Sequence, residues 1–479
     1  MRHPSLPITI DRRKPLPLFA QLAGALVDQI RSGRLVAGDV LPGTRSLARE
    51  LGVDRDTVLA AYGDLEAQGF VSTLPRTGTI VADVPRGART GRGLARQVGY
   101  ALDAGPPSLV PPRLPPGTIS LTSGVPDLRL VPSELVARAY RRAIRRHARS
   151  VLDYSADTTG HVRLRAALAE LVREARGVAA SADEVMVTRG SQMALELASR
   201  AMIRPGDVVC VEALGYQPAW ASFERAGAKL VGIPVDAGGI DVQALERAVA
   251  KHAVRMVYVT PHHQFPTTTI LSAARRMQLL ALARQHRFAI LEDDYDHEFH
   301  YEGRPVLPLA SIDATGSVIY VGTLSKVLAP GLRLGFVIAP RPLIERLARE
   351  RYFLDRQGDQ ALELAIAELL EDDELGRHAR KMRRIYHARR DLLVELLQRS
   401  LGDRLTFRVP TGGMALWAEV APGLDVDRWA ARGLEHGVAF QPGGNFTLSG
   451  KPLQAARFGY AVCSETEIQT AVKRLAHAA

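Results

Sequence analysis

The chain has 479 residues, of which 46% are hydrophobic and 24% are charged, and its formal net charge is +11. This length predicts two or more domains, and the composition is typical of a soluble globular protein. The sequence contains no run of about 18 apolar residues, so it predicts no membrane span. The N-terminus leads into no apolar signal core. The two cysteines, Cys210 and Cys463, lack metal-ligand spacing, so we expect reduced thiols in a cytoplasmic protein and no metal site.

The first predicted elements, between residues 12 and 81, are three helices followed by a hairpin. Apolar residues recur with helical spacing over 19–31, and Gly52 separates a helix capped by Thr44 from a helix capped by Asp54. Two helices joined by a short turn and followed by a hairpin are the layout of a winged helix-turn-helix, whose second paired helix enters the major groove of DNA. The candidate DNA contacts are Arg45, Arg49, Arg55, Thr57 and Arg76. Any one of these arginines alone could be a solvated surface charge.

A stretch rich in Pro, Gly and Arg, residues 82–118, interrupts this pattern. Such a composition cannot hold a helix or a central strand, so it predicts a linker that is partly extended. Beyond it, residues 119–479 alternate β-rich runs with helical patterns. This alternation predicts an α/β domain built on a mostly parallel sheet.

Polar residues follow the strand-like runs of this second domain. Ligands bind at the carboxyl ends of parallel strands in such folds. The polar residues at these predicted ends include Ser191, Gln192, Tyr216, Asp293, Tyr295, Thr323, Ser325 and Lys326. The chain has only seven lysines against 55 arginines, and an amine can form a Schiff base whereas a guanidinium cannot. Lys326 is therefore a candidate covalent anchor.

The groups around Lys326 predict a phosphorylated aldehyde cofactor. Arg333, seven residues further on, can clamp a phosphate, and the helix start at Ser191 offers a second phosphate grip through backbone N–H groups. Asp293 can keep a pyridine nitrogen protonated, and Tyr295 can donate to a ring phenolate. Each residue alone has an ordinary structural explanation. Their order on successive strand ends favours pyridoxal 5'-phosphate.

The first domain resembles the GntR family of bacterial regulators. The resemblance rests on residues 17–22, 32–35, 41–48, 51–53, 57–58, 61–62, 65, 69 and 78–79. One departure is the sequence Asp54-Arg55-Asp56, where the family usually has a Ser-Arg-Asn type sequence. Two carboxylates there would repel phosphates, although an aspartate can also cap a helix or accept a hydrogen bond from cytosine. The operator sequence stays open.

The second domain resembles the fold-type I aminotransferases, and the two domains together resemble the MocR subfamily of GntR regulators. The motifs are residues 154–160, 163–165, 188–192, 263–267, 292–296, 322–326 and 330–335. The resemblance implies that Lys326 holds the cofactor aldehyde, that Asp293 meets the pyridine nitrogen and that Tyr295 meets the ring oxygen. It also implies that Tyr216 lies against the ring. The phosphate ligands that it implies are Arg333, Ser191, Gln192 and Ser325, and Thr323 can add a hydroxyl donor.

The same resemblance implies a homodimer and an anionic effector. Tyr154 aligns with a residue that reaches the phosphate of the partner subunit's cofactor, and Arg457 aligns with the arginine that binds a substrate carboxylate. Thr268 replaces a usual glycine, and Ala213-Leu214 replaces a usual Asp-Pro. Because these departures fall near the face of the cofactor, substrate handling is less constrained than cofactor binding.

We therefore expect a pyridoxal phosphate-dependent, DNA-binding transcriptional regulator that senses the cofactor or an amino compound. An active aminotransferase with an appended DNA-binding domain, and a DNA-binding module without cofactor, remain alternatives. The effector stays open among pyridoxal phosphate, ω-amino acids, taurine-like amines and α-amino acids. A separate feature is a helix face with arginines at 138, 141, 142, 145, 146 and 149, which is either a solvated face or a basic strip that contacts DNA.

Overall fold

The computed structural model describes residues 7–83, 99–102, 105, 109–110, 113–122, 124–303 and 306–479. It divides into two compact units, residues 1–107 and 108–479, each with hydrophobic clusters of its own. Much of the predicted linker 82–118 lies outside the described residues. Among the residues that are described, none of the helices combines the length and apolar character that a membrane crossing needs.

The first unit is a winged helix-turn-helix, as the sequence predicts. Its elements are α1 (Leu18–Arg31), α2 (Thr44–Leu51), α3 (Arg55–Ala67), β1 (Val71–Leu74) and β2 (Gly78–Val81). Strands β1 and β2 pair antiparallel and form the wing. Helix α2 ends at Gly52, whose φ of +64° suits a residue without a Cβ. The turn around this glycine leads directly into α3.

Apolar residues of α1, α3 and the wing form the core of the first unit. Leu22 and Leu26 of α1 and Val58 and Leu65 of α3 are completely buried, and all four belong to one cluster. The predicted cap of α2 is wrong by one residue, because Thr44 is the first helical residue and glycine occupies the N-cap position. Because the apolar residues pack into this core, the polar faces of α2 and α3 stay exposed and available for binding.

The second unit alternates helices and strands. Its helices are α4 (Ser133–Val151), α5 (Val162–Arg176), α6 (Ser191–Met202), α7 (Gln217–Arg225), α8 (Val242–Lys251), α9 (Ala273–His286), α10 (Arg341–Leu354), α11 (Gln360–Glu371), α12 (Glu374–Leu401), α13 (Val426–Glu435) and α14 (Glu465–Ala478). Its strands are β3 (Ile119–Ser120), β4 (Val185–Thr188), β5 (Val208–Glu212), β6 (Lys229–Ile233), β7 (Val235–Asp236), β8 (Gly239–Ile240), β9 (Val254–Val259), β10 (Ala289–Asp294), β11 (Val318–Thr323), β12 (Gly335–Ile338), β13 (Leu405–Thr406), β14 (Ala415–Val420), β15 (Val438–Ala439), β16 (Gln441–Pro442) and β17 (Ala455–Gly459).

A seven-stranded sheet forms the centre of this unit, in the order β4-β12-β11-β10-β9-β5-β6. Strands β11, β10, β9, β5 and β6 run parallel, whereas β12 runs antiparallel to both of its neighbours. Every residue of β4 and β11 is buried, as expected for strands covered by helices on both faces. The prediction of a mostly parallel α/β sheet is confirmed. The carboxyl ends of β9, β10 and β11 therefore meet at one edge.

A smaller antiparallel sheet, in the order β13-β14-β17-β16, lies in the C-terminal part of the unit. Helices α12, α13 and α14 contribute to the same hydrophobic cluster, which includes Trp429, Phe458 and Tyr460. Phe458 and Tyr460 are completely buried, at and just after the end of β17. Because side chains alternate along a strand, Arg457 points away from this cluster.

Candidate functional site

A cavity of about 810 Å³ opens at the carboxyl ends of the central strands. It brings together ten of the residues that the sequence predicts for the cofactor and effector sites. These are Ser191, Gln192, Tyr216, Asp293, Tyr295, Thr323, Ser325, Lys326, Arg333 and Arg457. The parallel strands explain most of this convergence, because eight of the ten residues lie at or soon after the carboxyl ends of β4, β5, β10 and β11. The other two are Arg333, which precedes the antiparallel strand β12, and Arg457, which lies on β17 of the smaller sheet.

Lys326 follows β11 and points its amine into the cavity. Nζ donates a 2.8 Å hydrogen bond to the backbone oxygen of Gly124. Burial lowers the pKa of this amine to about 8, and the nearby charge of Arg457 acts in the same direction, while Asp296 and Asp293 oppose the shift. A buried amine with a lowered pKa is more often neutral near physiological pH, and the neutral form is the nucleophile.

Asp293 lies at the end of β10 with one carboxylate oxygen free. Oδ2 accepts a 2.9 Å hydrogen bond from the hydroxyl of Tyr258, whereas Oδ1 is buried without a partner among the described residues. Burial raises the pKa of this carboxyl group to about 7, although the hydrogen bond from Tyr258 acts to lower it. A cation placed beside Oδ1 would favour the ionised form.

Asp294, the next residue of β10, does not line the cavity. Its Oδ2 accepts a 2.6 Å hydrogen bond from Tyr320 and lies 3.0 Å from Nδ1 of His297. Burial acts to raise the pKa of Asp294, but the charge and hydrogen bond of His297 outweigh it and hold that pKa well below the ordinary value. Asp293, and not Asp294, lines the cavity.

One corner of the cavity lies at the start of α6. Helix α6 begins at Ser191, and Gly190 precedes it with a φ of +76°. A Cβ at Gly190 would lie 2.9 Å from Nη2 of Arg333, so glycine is required both for its backbone torsion and for the approach of the guanidinium. The hydroxyl of Ser325 is buried and has no partner among the described residues. A helix N-terminus, a guanidinium and a free hydroxyl together suit a phosphate.

Arg457 on β17 is a buried cation that forms no ion pair among the described residues. Its guanidinium carbon lies 4.8 Å above the centre of the Phe265 ring, and Nε lacks a hydrogen-bond partner in the described part of the chain. Burial lowers the pKa of this guanidinium. Leaving a charge buried and unpaired is unfavourable, so an anionic ligand group would suit this position.

The remaining polar residues of the cavity wall are held by the protein itself. The hydroxyl of Tyr295 donates a 2.8 Å hydrogen bond to the backbone oxygen of His263. Nε2 of Gln192 donates a 3.1 Å hydrogen bond to the backbone oxygen of Pro218, and Thr323 donates to the backbone oxygen of Leu334. These bonds fix the orientation of side chains around the cavity. In this arrangement, the proton of Tyr295 is already engaged.

Tyr154 does not line the cavity. Its side chain is 72% exposed, and the guanidinium of Arg356 lies 4.2 Å from the centre of its ring.

The arginine-rich face of α4 is not uniformly free, because Nε of Arg142 lies 2.9 Å from Oε1 of Glu368. The other five arginines of that face are exposed. The exposed part of this face therefore comprises five arginines rather than the six that the sequence predicts.

The predicted DNA contacts of the first unit lie on its polar surface. Arg45 and Arg49 of α2, Arg55 of α3 and Arg76 of the wing are exposed, and Thr57 is half-buried. Nε of Arg55 lies 3.4 Å from the hydroxyl of Thr44. The structure gives none of these four arginines an ion pair within residues 7–83. They remain available to phosphates or base edges.

Sequence reasoning missed several parts of the cavity wall. Tyr258 lies inside the apolar run of β9, so nothing in the pattern marked it as the donor to Asp293. Phe265 and the backbone oxygen of Gly124 were also missed. Only the unusual position of a tyrosine hydroxyl in the buried part of a strand could have indicated Tyr258.

Comparison with known proteins identifies both units. The family model described as bacterial regulatory proteins, gntR family, matches residues 18–81, and the model described as aminotransferase class I and II matches residues 116–475. The probable rhizopine catabolism regulatory protein MocR of Rhizobium meliloti is 35% identical over 466 residues, covering 95% of this chain and 92% of that protein. The pyridoxine biosynthesis transcriptional regulator PdxR of Corynebacterium glutamicum is 31% identical over 433 residues, with 90% and 89% covered.

Solved structures resemble the second unit. The α-aminoadipate aminotransferase LysN of Thermus thermophilus, solved with N-(5'-phosphopyridoxyl)-L-leucine, superposes with a TM-score of 0.71 at 30% identity, over 76% of this chain and 92% of that one. Membership of this aminotransferase family implies a pyridoxal phosphate site, and a GntR domain implies DNA binding. The chain belongs to the MocR-type regulators of the GntR family, in which a winged helix-turn-helix domain and an aminotransferase class I and II domain share one polypeptide.

Proposed function

We propose that this regulator binds pyridoxal phosphate in the 810 Å³ cavity and that the cofactor, or an amino compound that meets it there, controls DNA binding. The observation that carries the proposal is the pairing of Lys326 and Asp293 in one cavity wall. The first offers an amine with a pKa of about 8, and the second offers a buried carboxylate oxygen without a partner among the described residues.

The cavity fits this cofactor group by group. Ser191, Ser325 and Arg333 would hold the phosphate, and Asp293 would face the ring nitrogen. Gln192 and Thr323 would support the phosphate end, and Tyr216 would cover the ring. Tyr295 would face the ring oxygen once its hydroxyl released the backbone oxygen of His263. Buried polar atoms without partners are rare in folded proteins, and Asp293 Oδ1, Ser325 Oγ and Arg457 Nε are three of them in this wall. A phosphorylated pyridine with an anionic companion would satisfy all three.

The residues of the chain prepare the site for covalent capture. Bound pyridoxal phosphate would supply an electrophilic aldehyde on an electron-withdrawing ring. Lys326 releases a proton from Nζ more readily than an exposed lysine, because burial disfavours its charged form. Asp293 takes up or releases a proton near pH 7, and a ring cation beside Oδ1 would hold it ionised.

Arg457 favours an effector that carries a carboxylate or a similar anion. Its guanidinium is buried against Phe265 and makes no ion pair among the described residues. The names of these two relatives connect MocR with rhizopine catabolism and PdxR with pyridoxine biosynthesis. Because these relatives differ in the compound concerned, we assign neither compound to this chain. Pyridoxal phosphate itself stays one of the proposed effectors.

We also propose a role for each of the three segments of the chain. Residues 12–81 bind DNA through Arg45, Arg49, Arg55, Thr57 and Arg76, residues 82–118 link the domains, and residues 119–479 bind the effector and dimerise. The exposed ring of Tyr154 supports a dimer, because it is available to a partner subunit. A regulator that binds promoters works in the cytoplasm of a bacterial cell.

Aminotransferase activity is a second candidate. Such chemistry uses an amine of lowered pKa, a carboxylate and a cation. Lys326, Asp293 and Arg457 offer these groups, and all three line the cavity. Purified protein incubated with an amino donor and a keto acid tests this directly. Sustained turnover, without control of any promoter, would favour an enzyme over a regulator.

Genome-wide mapping of bound DNA, with and without cofactor in the medium, tests the proposed function. We expect enrichment at a small number of promoters, with an occupancy that depends on pyridoxal phosphate. The genes beside those promoters would indicate the effector. An unchanged profile in cells starved of the cofactor would contradict the proposal.

A further inference from the structure

Four histidine side chains are buried together outside the cavity. His262 and His263 follow β9, and His297 and His300 follow β10, with exposed fractions of 3%, 1%, 5% and 7% respectively. The ring centre of His262 lies 4.4 Å from that of His263, 4.6 Å from that of His297 and 5.9 Å from that of His300. None of the four lines the cavity proposed for the cofactor, so the cluster needs its own explanation.

Several ring nitrogens in this cluster lack a hydrogen-bond partner. Both nitrogens of His262, Nε2 of His263 and Nδ1 of His300 are buried without one among the described residues. One nitrogen from each of these three residues lies within 4.8 Å of the others. Buried polar atoms are normally satisfied, so several free nitrogens that converge on one point indicate a missing partner.

The surroundings keep Nε2 of His263 available. A Cβ at Gly412 would lie only 2.4 Å from this nitrogen, so a side chain at that position would cover it. On the other side of the ring, Nδ1 lies 2.8 Å from Oδ1 of Asp296. An imidazole that is oriented by a carboxylate through one nitrogen and free at the other is the usual arrangement of a metal-binding histidine.

Charge in the cluster also suits a cation. Burial lowers the pKa of His262 and of His300, and this shift favours neutral imidazole, the form that ligates. The carboxylates of Asp294 and Asp296 lie beside His297 and His263. These buried negative charges would offset part of the charge of a divalent ion.

We propose that His262, His263 and His300 form a binding site for one divalent transition-metal ion of the Zn²⁺ class, with His297 or water as the fourth ligand. Imidazole nitrogens suit Zn²⁺, Co²⁺, Ni²⁺ and Cu²⁺ rather than Mg²⁺ or Ca²⁺. Bonds of about 2.0–2.1 Å require the three nitrogens to approach to about 3.3 Å, a small closure from their present separation. The sequence had predicted no metal, because the four histidines come together only through the pairing of β9 with β10.

The proposed ion would lie close to the cofactor cavity. The backbone oxygen of His263 accepts the hydrogen bond of Tyr295, and Tyr295 lines that cavity. Asp296, which orients His263, follows Tyr295 directly in the chain. Metal binding would therefore fix the segment that carries one wall of the cavity, although the metal site itself does not depend on the proposed function.

Metal binding by the full-length, cofactor-free protein tests this proposal. The protein is first stripped with a chelator, which is then removed, and Zn²⁺ or Co²⁺ is added. We expect the protein to retain one equivalent of added Zn²⁺ per chain. Added Co²⁺ should give the visible absorption bands of a tetrahedral site. Mg²⁺ should not compete. In the double variant His262→Ala/His300→Ala, affinity for Zn²⁺ should fall at least about 100-fold, since two of three ligands are lost.

The exposed pair His436 and His477, with ring centres 5.1 Å apart, provides a matched control. The double variant His436→Ala/His477→Ala should retain the Zn²⁺ equivalent, and retention that depends on this surface pair instead would overturn the proposal. X-ray absorption of the zinc-loaded wild type covers the case in which the core variant fails to fold. Three or more imidazole ligands are expected, whereas two or fewer, or no retained Zn²⁺, would overturn it.

Discussion

The hydroxyl of Tyr258 donates a 2.9 Å hydrogen bond to Oδ2 of Asp293, a residue of the cavity wall, and leaves Oδ1 of the same carboxyl group without a partner among the described residues. This geometry divides the carboxylate into one oxygen that the protein holds and one that a ligand can use. A hydrogen bond to the ionised form favours ionisation, so Tyr258 partly offsets the burial that raises the pKa of Asp293 to about 7.

Replacing Asp293 should weaken cofactor binding. In Asp293→Asn the carboxylate that would face a protonated ring nitrogen is lost, and hydrogen bonds to charged groups contribute about 1.5–3 kcal/mol. We expect retention of pyridoxal phosphate to fall roughly 10- to 100-fold, as measured by equilibrium dialysis. Asp403→Asn, at a side chain that is 79% exposed, should bind like the wild type. Equal affinities of all three proteins would contradict the assigned role of Asp293.

The rate at which added cofactor is captured should depend on pH through Lys326. Its pKa of about 8 means that the amine is mostly protonated below that value and mostly neutral above it. Only the neutral form attacks an aldehyde, so the rate should rise about tenfold per pH unit below pH 8 and then level off. Stopped-flow absorbance between about pH 6 and 9 measures this profile. A rate that still rises about tenfold per pH unit up to the end of this range would show that burial does not lower the pKa of this amine.

Arg457 should discriminate between effectors. In Arg457→Ala, affinity for an α-amino acid should fall roughly 10- to 100-fold, because the charged partner of its carboxylate is gone. The affinity for an amine of the same length without a carboxylate should stay the same. Titration of the visible absorbance of the cofactor-loaded protein gives both constants, and the exposed Arg408, changed to alanine, is the control. An equal loss for both ligands would indicate a structural role for Arg457.

The helix-turn-helix arginines should affect DNA affinity in two distinguishable ways. An arginine that reads a guanine edge contributes about 1–3 kcal/mol of discrimination, whereas one that contacts a phosphate lowers the salt dependence by about one unit of slope. Arg45→Ala, Arg49→Ala and Arg55→Ala should each do one or the other in fluorescence anisotropy with a promoter fragment. Arg428→Ala, at an 85% exposed side chain of the second unit, should do neither. Wild-type binding by all three variants would remove these residues from the interface.

Much of the cavity wall was predictable because parallel strands end at one edge. Lys326 and Asp293 each follow an apolar run, and that local pattern alone places them at the same end of the sheet. Tyr258 was not predictable, because its hydroxyl emerges from within the buried run of β9 and depends on the position of the neighbouring strand β10. The same pairing brings His262 and His297 together, although 34 positions separate them in the sequence.

Tertiary contacts between helices also escaped prediction. The six arginines of α4 form one face by helical spacing, but Arg142 pairs with Glu368 of α11, a residue that is distant in sequence. Thr44 was expected to cap α2, and it instead begins the helix. Local signals specify a helix end only within about one or two residues, and the difference at Thr44 lies within that range.

DNA affinity measured with and without pyridoxal phosphate tests the central claim most directly. For the wild type, we expect saturating cofactor to change the dissociation constant for a bound promoter fragment at least about fivefold, the lower limit of typical coupling between two sites. Lys326→Ala should lose that response, and Lys473→Ala, at an exposed lysine of α14, should keep it. A wild-type dissociation constant that is the same with and without the cofactor, or a full response in Lys326→Ala, would contradict the account.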